Sequence, residues 1–236
     1  MDDKRLKSLQ EFEEIINYAF TDKQLLNIAL THSSYAHGHD TSHPYNERLE
    51  FLGDSILSMI ISLHLYNKLK NTSEGQMTRI RANIVCEKSL YATAKKIRIG
   101  EYLYLRKGEE NTGGRKRVSI LADAVEALIA AIFLDGGLDE AKKFVLGFME
   151  EKIESSIKNR IFNDYKSYLQ EHVQKYNMGK VEYKLISEKG PDHSKEFNMA
   201  VYLNDTLIGS GTGKSKKDAQ QSAAKDAITA MGVINE

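Results

Sequence analysis

A chain of 236 residues has room for one large domain or two of moderate size, and a hydrophobic content of 41% is enough for a packed core. Its 33 basic and 33 acidic side chains cancel, and the balance holds on both sides of residue 160, so bulk charge points to no polyanionic partner and a nucleic-acid contact must rest on local patches. One cysteine excludes a disulfide framework, MDDKRLKSLQ has no apolar signal-peptide core, and no apolar run reaches the ~18 residues of a membrane span, so the expectation is a soluble cytoplasmic protein without a membrane partner.

Residues 1–158 read as helical. Periodic apolar runs occur near 6–18, 22–36, 47–70, 76–99, 121–134 and 138–157, punctuated at Pro44, 71–75, Gly100, 108–114 and 135–137. In NERLEFLGDSIL, Asn46 is a candidate N-cap, and Glu47, Glu50 and Asp54 fall within roughly a 60° arc of one helix. Leu49, Leu52, Ile56, Ile60 and Leu63 form the opposite face, while Phe51, Leu57 and Ile61 flank the acids. An amphipathic helix with solvated acids accounts for this segment alone. Residues 106–117 read as a loop rich in glycine and charge, with Arg115, Lys116 and Arg117 facing either solvent or phosphate.

The next segment, LADAVEALIAAIFL at 121–134, is apolar on every side of a helix and should be buried, yet it carries Asp123 and Glu126 one turn apart. Buried carboxylates are unfavourable unless protonated, paired or bound to metal. With the acids of 47–54 they offer up to five carboxylates to one pocket, a donor set suited to hard cations such as Mg²⁺ or Mn²⁺ and to phosphate chemistry. Zinc is disfavoured, because Cys86 stands alone and His37, His39 and His43 crowd one Gly- and Pro-containing loop. His32 is expected to make a local or interface hydrogen bond.

The pattern changes near 158–163. A helix follows to Tyr176 with Asp164 as a candidate N-cap, then alternating strands through Val181, Tyr183 and Leu185 and through Phe197, Met199, Val201 and Leu203. Asn204 and Asp205 signal a tight turn into a third strand at 206–211, and Ser215 caps an alanine-rich helix to Met231. Lys214, Lys216 and Lys217 crowd the positive end of that helix. The arrangement is unfavourable alone and favourable with an anion, which Gly211 and Gly213 would admit close to the backbone.

These segments resemble bacterial ribonuclease III. NERLEFLGDSIL and LADAVEALIAAIFLDGG are similar to the two acidic helices of that family, and ALTHSSYA and SEGQMTRIRANIV to further segments. DYKSYLQEHVQ, GPDHSKEF and GTGKSKKDAQQSAA resemble a double-stranded RNA-binding domain. The resemblance implies an all-α endonuclease domain at 1–158, a linker at 159–163 and a small α+β domain of α-β-β-β-α order at 164–232. It implies that Glu50, Asp54, Asp123 and Glu126 hold catalytic Mg²⁺, with Mn²⁺ as a substitute, and that Asp54 and Glu126 matter most. Glu47 would lie near substrate or interface, and Glu74 near the site of the partner in a homodimer formed through the endonuclease domain. Gln170, Gln174 and His193 would enter the minor grooves of double-stranded RNA, and Lys214, Lys216 and Lys217 would hold the phosphates between. The implied activity is cleavage of duplex RNA to 5′-phosphate and 3′-hydroxyl ends with short 3′ overhangs, in the processing of ribosomal, messenger and other structured RNA. A non-catalytic RNA-binding regulator would tolerate loss of the acids, which are intact. A small-molecule phosphohydrolase would be expected to add histidine ligands, and no HD pair or HxxxH helix accompanies these acids.

Overall fold

Asp2 accepts a hydrogen bond from the Arg5 amide and starts a first helix, α1 (Asp3–Ile16), whose Leu9, Phe12 and Ile16 recur at helical spacing and are buried. Asp22 caps α2 (Lys23–Ala29) in the same way. The entry to α2 is fixed from a distance: the Asp135 carboxylate accepts from the amides of Thr21 and Asp22 and from the Tyr18 hydroxyl. This computed structural model describes residues 1–35, 44–70, 72–163, 165–191 and 194–232. His37, His39, His43, Asp164 and His193, singled out in the sequence, lie outside the described residues.

Helix α3 (Glu47–Lys68) follows, then α4 (Glu74–Ile84) capped by Ser73, and α5 (Glu87–Lys96). The run at 76–99 is therefore two helices divided at Val85 and Cys86. The predicted loop at 106–117 contains a short helix α6 (Lys107–Asn111) and a 3₁₀ turn (Gly114–Lys116). The last helix of this unit, α7 (Val118–Asn163), is interrupted at Gly137, where φ is 83° and ψ −176°. Its stretch from Leu121 to Ile132 is the centre of the core. Ala124, Val125, Ala127, Leu128, Ile129, Ala130, Ala131 and Ile132 are fully buried, whereas Leu134 is exposed.

By length and composition, α3 is the one described helix that could cross a membrane. It instead buries Leu49, Ile56, Leu57, Ile60, Ile61 and Leu65 in the core. The buried face includes Leu57 and Ile61, expected to flank the acids, and leaves out Leu63. Phe51 (80% exposed), Met59, Leu63 and Tyr66 fall within roughly a 120° arc on the outer side.

The chain divides into two compact units, Met1–Ser156 and Ile157–Glu236. The backbone at 159–163 belongs to the last turns of α7. The second unit contains α8 (Tyr165–Lys175), β1 (Val181–Lys189), β2 (Glu196–Leu203), β3 (Thr206–Gly213) and α9 (Lys216–Ala230). Its sheet is antiparallel in the order β1-β2-β3. Asn204 and Asp205 both take positive φ, as a two-residue hairpin of the right twist requires, and the Asn204 side chain bonds Met178 and Lys180. The alternation expected in β1 breaks at a register shift between Leu185 and Ser187, which leaves Leu185 and Ile186 exposed.

One feature of β3 is a matched row of small residues. A Cβ on Gly209, Gly211 or Gly213 would stand 2.6, 2.3 or 2.5 Å from the backbone nitrogen of Ala227, Ala223 or Ala219. Glycines two apart on the strand thus meet alanines four apart on α9, and the helix seats directly on the sheet. This corrects the expectation that Gly211 and Gly213 admit an anion: a helix occupies that space. Gly211→Ala is expected to destabilise the second unit by about 1–3 kcal/mol through overpacking, as read from urea unfolding.

Candidate metal centre and basic surface

Two helices bring the acids together, and a glycine sets their separation. Glu50 lies one turn into α3, and Asp123 and Glu126 lie one turn apart near the start of α7. A Cβ on Gly53 would stand 1.9 Å from the Glu126 carbonyl oxygen, so α3 crosses α7 at a distance only glycine permits. Sequence reading missed this residue, although an isolated glycine inside an apolar helix is itself a signal of close packing.

One carboxylate oxygen each from Glu50, Asp123 and Glu126 lies within 4.8 Å of the others. All three residues are half-buried, and no described lysine or arginine forms an ion pair with them. Burial pushes the Glu126 carboxyl up to about 8, with the charges of Asp54, Asp123 and Glu50 adding to it. Burial also raises Glu50, helped by Asp123 and Glu47. Burial raises Asp123 too, and the strongest charge acting on it is that of Glu87, in the first turn of α5, which sequence reading did not connect to the cluster. An all-oxygen set in which burial and mutual repulsion oppose ionisation fits a hard divalent cation, which reverses both effects.

Asp54 is exposed and stands outside this group of three, although its charge is the largest acting on Glu126. Glu47 is exposed in the first turn of α3 and contributes to the field at Glu50 and Asp123. Glu74 is also outside the group; it is exposed at the start of α4, where it accepts from the Thr78 hydroxyl. His32 bonds Ser34 locally through Nδ1.

The raised Glu126 value has a defined consequence for stability in the absence of divalent cations. A carboxyl raised from 4.5 to about 8 favours the folded state fully below its unfolded value, and that contribution is lost as pH rises through about 8. Glu126→Gln, which stays neutral, is expected to match the wild type in melting temperature at pH 4.5 and to exceed it at pH 8.5. Equal melting temperatures at pH 8.5 would count against a repulsive cluster.

Two of the three cations of 115–117, Arg115 and Arg117, have internal roles. Arg115 pairs with Glu110 and donates to the carbonyls of Gly100 and Leu103, while Arg117 pairs with Glu109 and donates to Thr112. They stitch α6 and the 3₁₀ turn together and are not free to grip phosphate. In the second unit, Gln170 and Gln174 are exposed one turn apart on α8. Lys214, Lys216 and Lys217 are exposed around the start of α9, which Ser215 caps by accepting from the Asp218 amide. Asp218, overlooked in the sequence, places one acid in that first turn and offsets part of the unfavourable positive charge.

Comparison with known proteins places both units. The family described as ribonuclease-III-like matches residues 22–153, and the double-stranded RNA binding motif matches residues 165–231. The chain is 50% identical to ribonuclease 3 of Caldanaerobacter subterraneus subsp. tengcongensis over 96% of this chain and 99% of that one. It is 47% identical to ribonuclease 3 of Clostridium kluyveri over 95% of this chain and 92% of that one. Among solved structures, the nuclease domain of ribonuclease III from Campylobacter jejuni superposes with a TM-score of 0.57 at 39% identity, covering 61% of this chain and 97% of that one.

Proposed function

The chain belongs to the ribonuclease III family, and from that premise we propose that its carboxylate cluster is the catalytic centre of an endoribonuclease acting on double-stranded RNA. The enzyme is a metal-dependent nuclease. The observation that carries the site assignment is the convergence of Glu50, Asp123 and Glu126, half-buried and without cationic partners among the described residues. These three would hold Mg²⁺, with Asp54 acting beside them because its charge weighs most on Glu126. Bound there, the ion would acidify a water and neutralise charge on the scissile phosphate. The protein's own part is to fix the acids on two rigid helices and to shield them partly from water. The products of this reading are 5′-phosphate and 3′-hydroxyl ends with short 3′ overhangs, formed in the maturation of structured RNA. The free Cys86 fits a reducing compartment, the cytoplasm.

The enzyme acts as a homodimer. The outer face of α3, with Phe51, Met59, Leu63 and Tyr66, is an exposed apolar surface that a second copy would cover. Glu74 would then approach the partner's cluster, and Glu47 would face substrate or interface. In the second unit, Gln170 and Gln174 would reach one minor groove, and Lys214, Lys216 and Lys217 would hold phosphates. The role of His193 in the adjacent minor groove rests on its motif. Lys216→Ala and Lys217→Ala are each expected to weaken duplex binding whatever its sequence and to reduce the salt slope by about one, measured by titration at several salt concentrations. An unchanged slope would remove phosphate contact from their role.

The direct test is an end-labelled RNA duplex and its single strand, each incubated with Mg²⁺ or with chelator. Cleavage of the duplex alone, and only with Mg²⁺, is expected. Tight duplex binding without cleavage in either condition would overturn the catalytic assignment.

A further inference from the structure

A cavity lies in the first unit, built from residues that none of the assigned roles uses. Its volume is about 350 Å³, within the range of small-molecule sites, and it opens between the N-terminal end of α5 and the 148–152 stretch of α7. Cys86 occupies the N-cap position of α5, but its thiol is turned to the Asn83 carbonyl and caps nothing. The amides of Glu87 and Lys88 are thus left without acceptors among the described residues, at the positive end of a ten-residue helix.

Ser89 provides an independent sign. It lines the cavity, is only 4% exposed, and its Oγ has no hydrogen-bond partner among the described residues. A buried hydroxyl without a partner is unfavourable unless something bonds to it. Lys88, Lys96 and Lys152 also line the cavity, against a single acid, Glu151; Glu87 is not among its walls. Asn83 and Thr93 add neutral polar walls, and the apolar ones are Ala92, Met149 and Phe148, whose ring packs on Phe144 at 5.0 Å.

We propose that this cavity binds a small phosphorylated molecule carrying a flat apolar ring, of which a nucleoside 5′-monophosphate is the simplest form. The phosphate would sit at the first amides of α5, among Lys88, Lys152 and the Ser89 hydroxyl. The ring would lie against Phe148 and Met149. Such a site shares no lining residue with the carboxylate cluster, Glu151 is the one acid among its walls, and Glu87, whose amide is offered, turns its charge toward Asp123.

The test uses the full chain without divalent cations and adenosine 5′-monophosphate as the probe, read by calorimetry and by the rate at which iodoacetamide alkylates Cys86. Saturable binding is expected, with alkylation slowed at least fivefold. Lys88→Ala and Ser89→Ala are each expected to weaken binding at least fivefold, whereas Glu126→Gln should leave it unchanged. The Glu126→Gln control separates this cavity from the acid cluster, so failure here leaves the nuclease assignment standing. Absence of binding at millimolar probe, binding without protection of Cys86, or binding indifferent to both substitutions would overturn the proposal. Equal protection by inorganic phosphate alone would overturn the ring component.

Discussion

Glu126→Gln is expected to bind duplex RNA within a factor of about two of the wild type and to lose cleavage by about 10³-fold or more. The magnitude follows from the role. Metal-assisted charge stabilisation supplies several kcal/mol of transition-state stabilisation, and each 1.4 kcal/mol is tenfold in rate. The substitution keeps shape and hydrogen-bonding capacity while removing the central charge of a cluster whose ligand oxygens lie within 4.8 Å. Binding should survive because the exposed glutamines of α8 and lysines of α9 belong to a different unit. Single-turnover cleavage and filter binding on one preparation check both halves. Normal turnover would remove Glu126 from the centre, and lost binding would show that the residue supports the fold or the RNA contact instead.

Gly53→Ala is expected to be the most damaging small substitution in the first unit. The added methyl would meet the backbone carbonyl of Glu126 at 1.9 Å and its carbon at 2.4 Å. Backbone inside a buried helix cannot swing aside as a side chain can, so α3 and α7 must part. Overpacking of this kind costs about 1–3 kcal/mol and more where the obstacle is rigid. The parting would also spread Glu50 from Asp123 and Glu126, so cleavage should fall at least tenfold even in cold, fully folded preparations. Gly75→Ala is the control. Its Cβ meets nothing within 4 Å in α4, and replacing a helical glycine there should be neutral or stabilising by up to about 1 kcal/mol. Urea unfolding of the two variants beside the wild type separates packing at the crossing from helix propensity. A Gly53→Ala protein of normal stability and activity would show that the two helices are not held at this distance.

Local chemistry made much of the molecule legible from its residues. An all-apolar segment interrupted by Asp123 and Glu126 could only be a core helix with a site on it, because burial of carboxylates is too unfavourable to be incidental. Asn204 and Asp205 defined a hairpin because few residues accept positive φ, and Ser215 fixed the start of α9 because its hydroxyl satisfies an orphan amide. Motif similarity implied what spacing could not, namely a shared role for Glu50, Asp54, Asp123 and Glu126, of which the structure brings Glu50, Asp123 and Glu126 together.

Residue order could not supply the distances between elements. Which three acids converge and which stays at the rim depends on where α3 crosses α7, and Gly53 decides that by lacking a side chain. The fates of Arg115 and Arg117 depended on acids and carbonyls brought near by folding, since a cation that follows glycines looks the same whether it meets phosphate or Glu109. Gly211 and Gly213 were open to two explanations until α9 was seen lying on them. The sequence by itself determined the helical and α-β-β-β-α units, the Ser215 cap and the Asn204–Asp205 turn, because propensity, capping and burial act within a few residues; Asn46, expected to cap α3, is itself helical and makes no capping bond. Only the tertiary structure decided which charges share a site, because electrostatics acts through space across segments that the chain places about 70 residues apart.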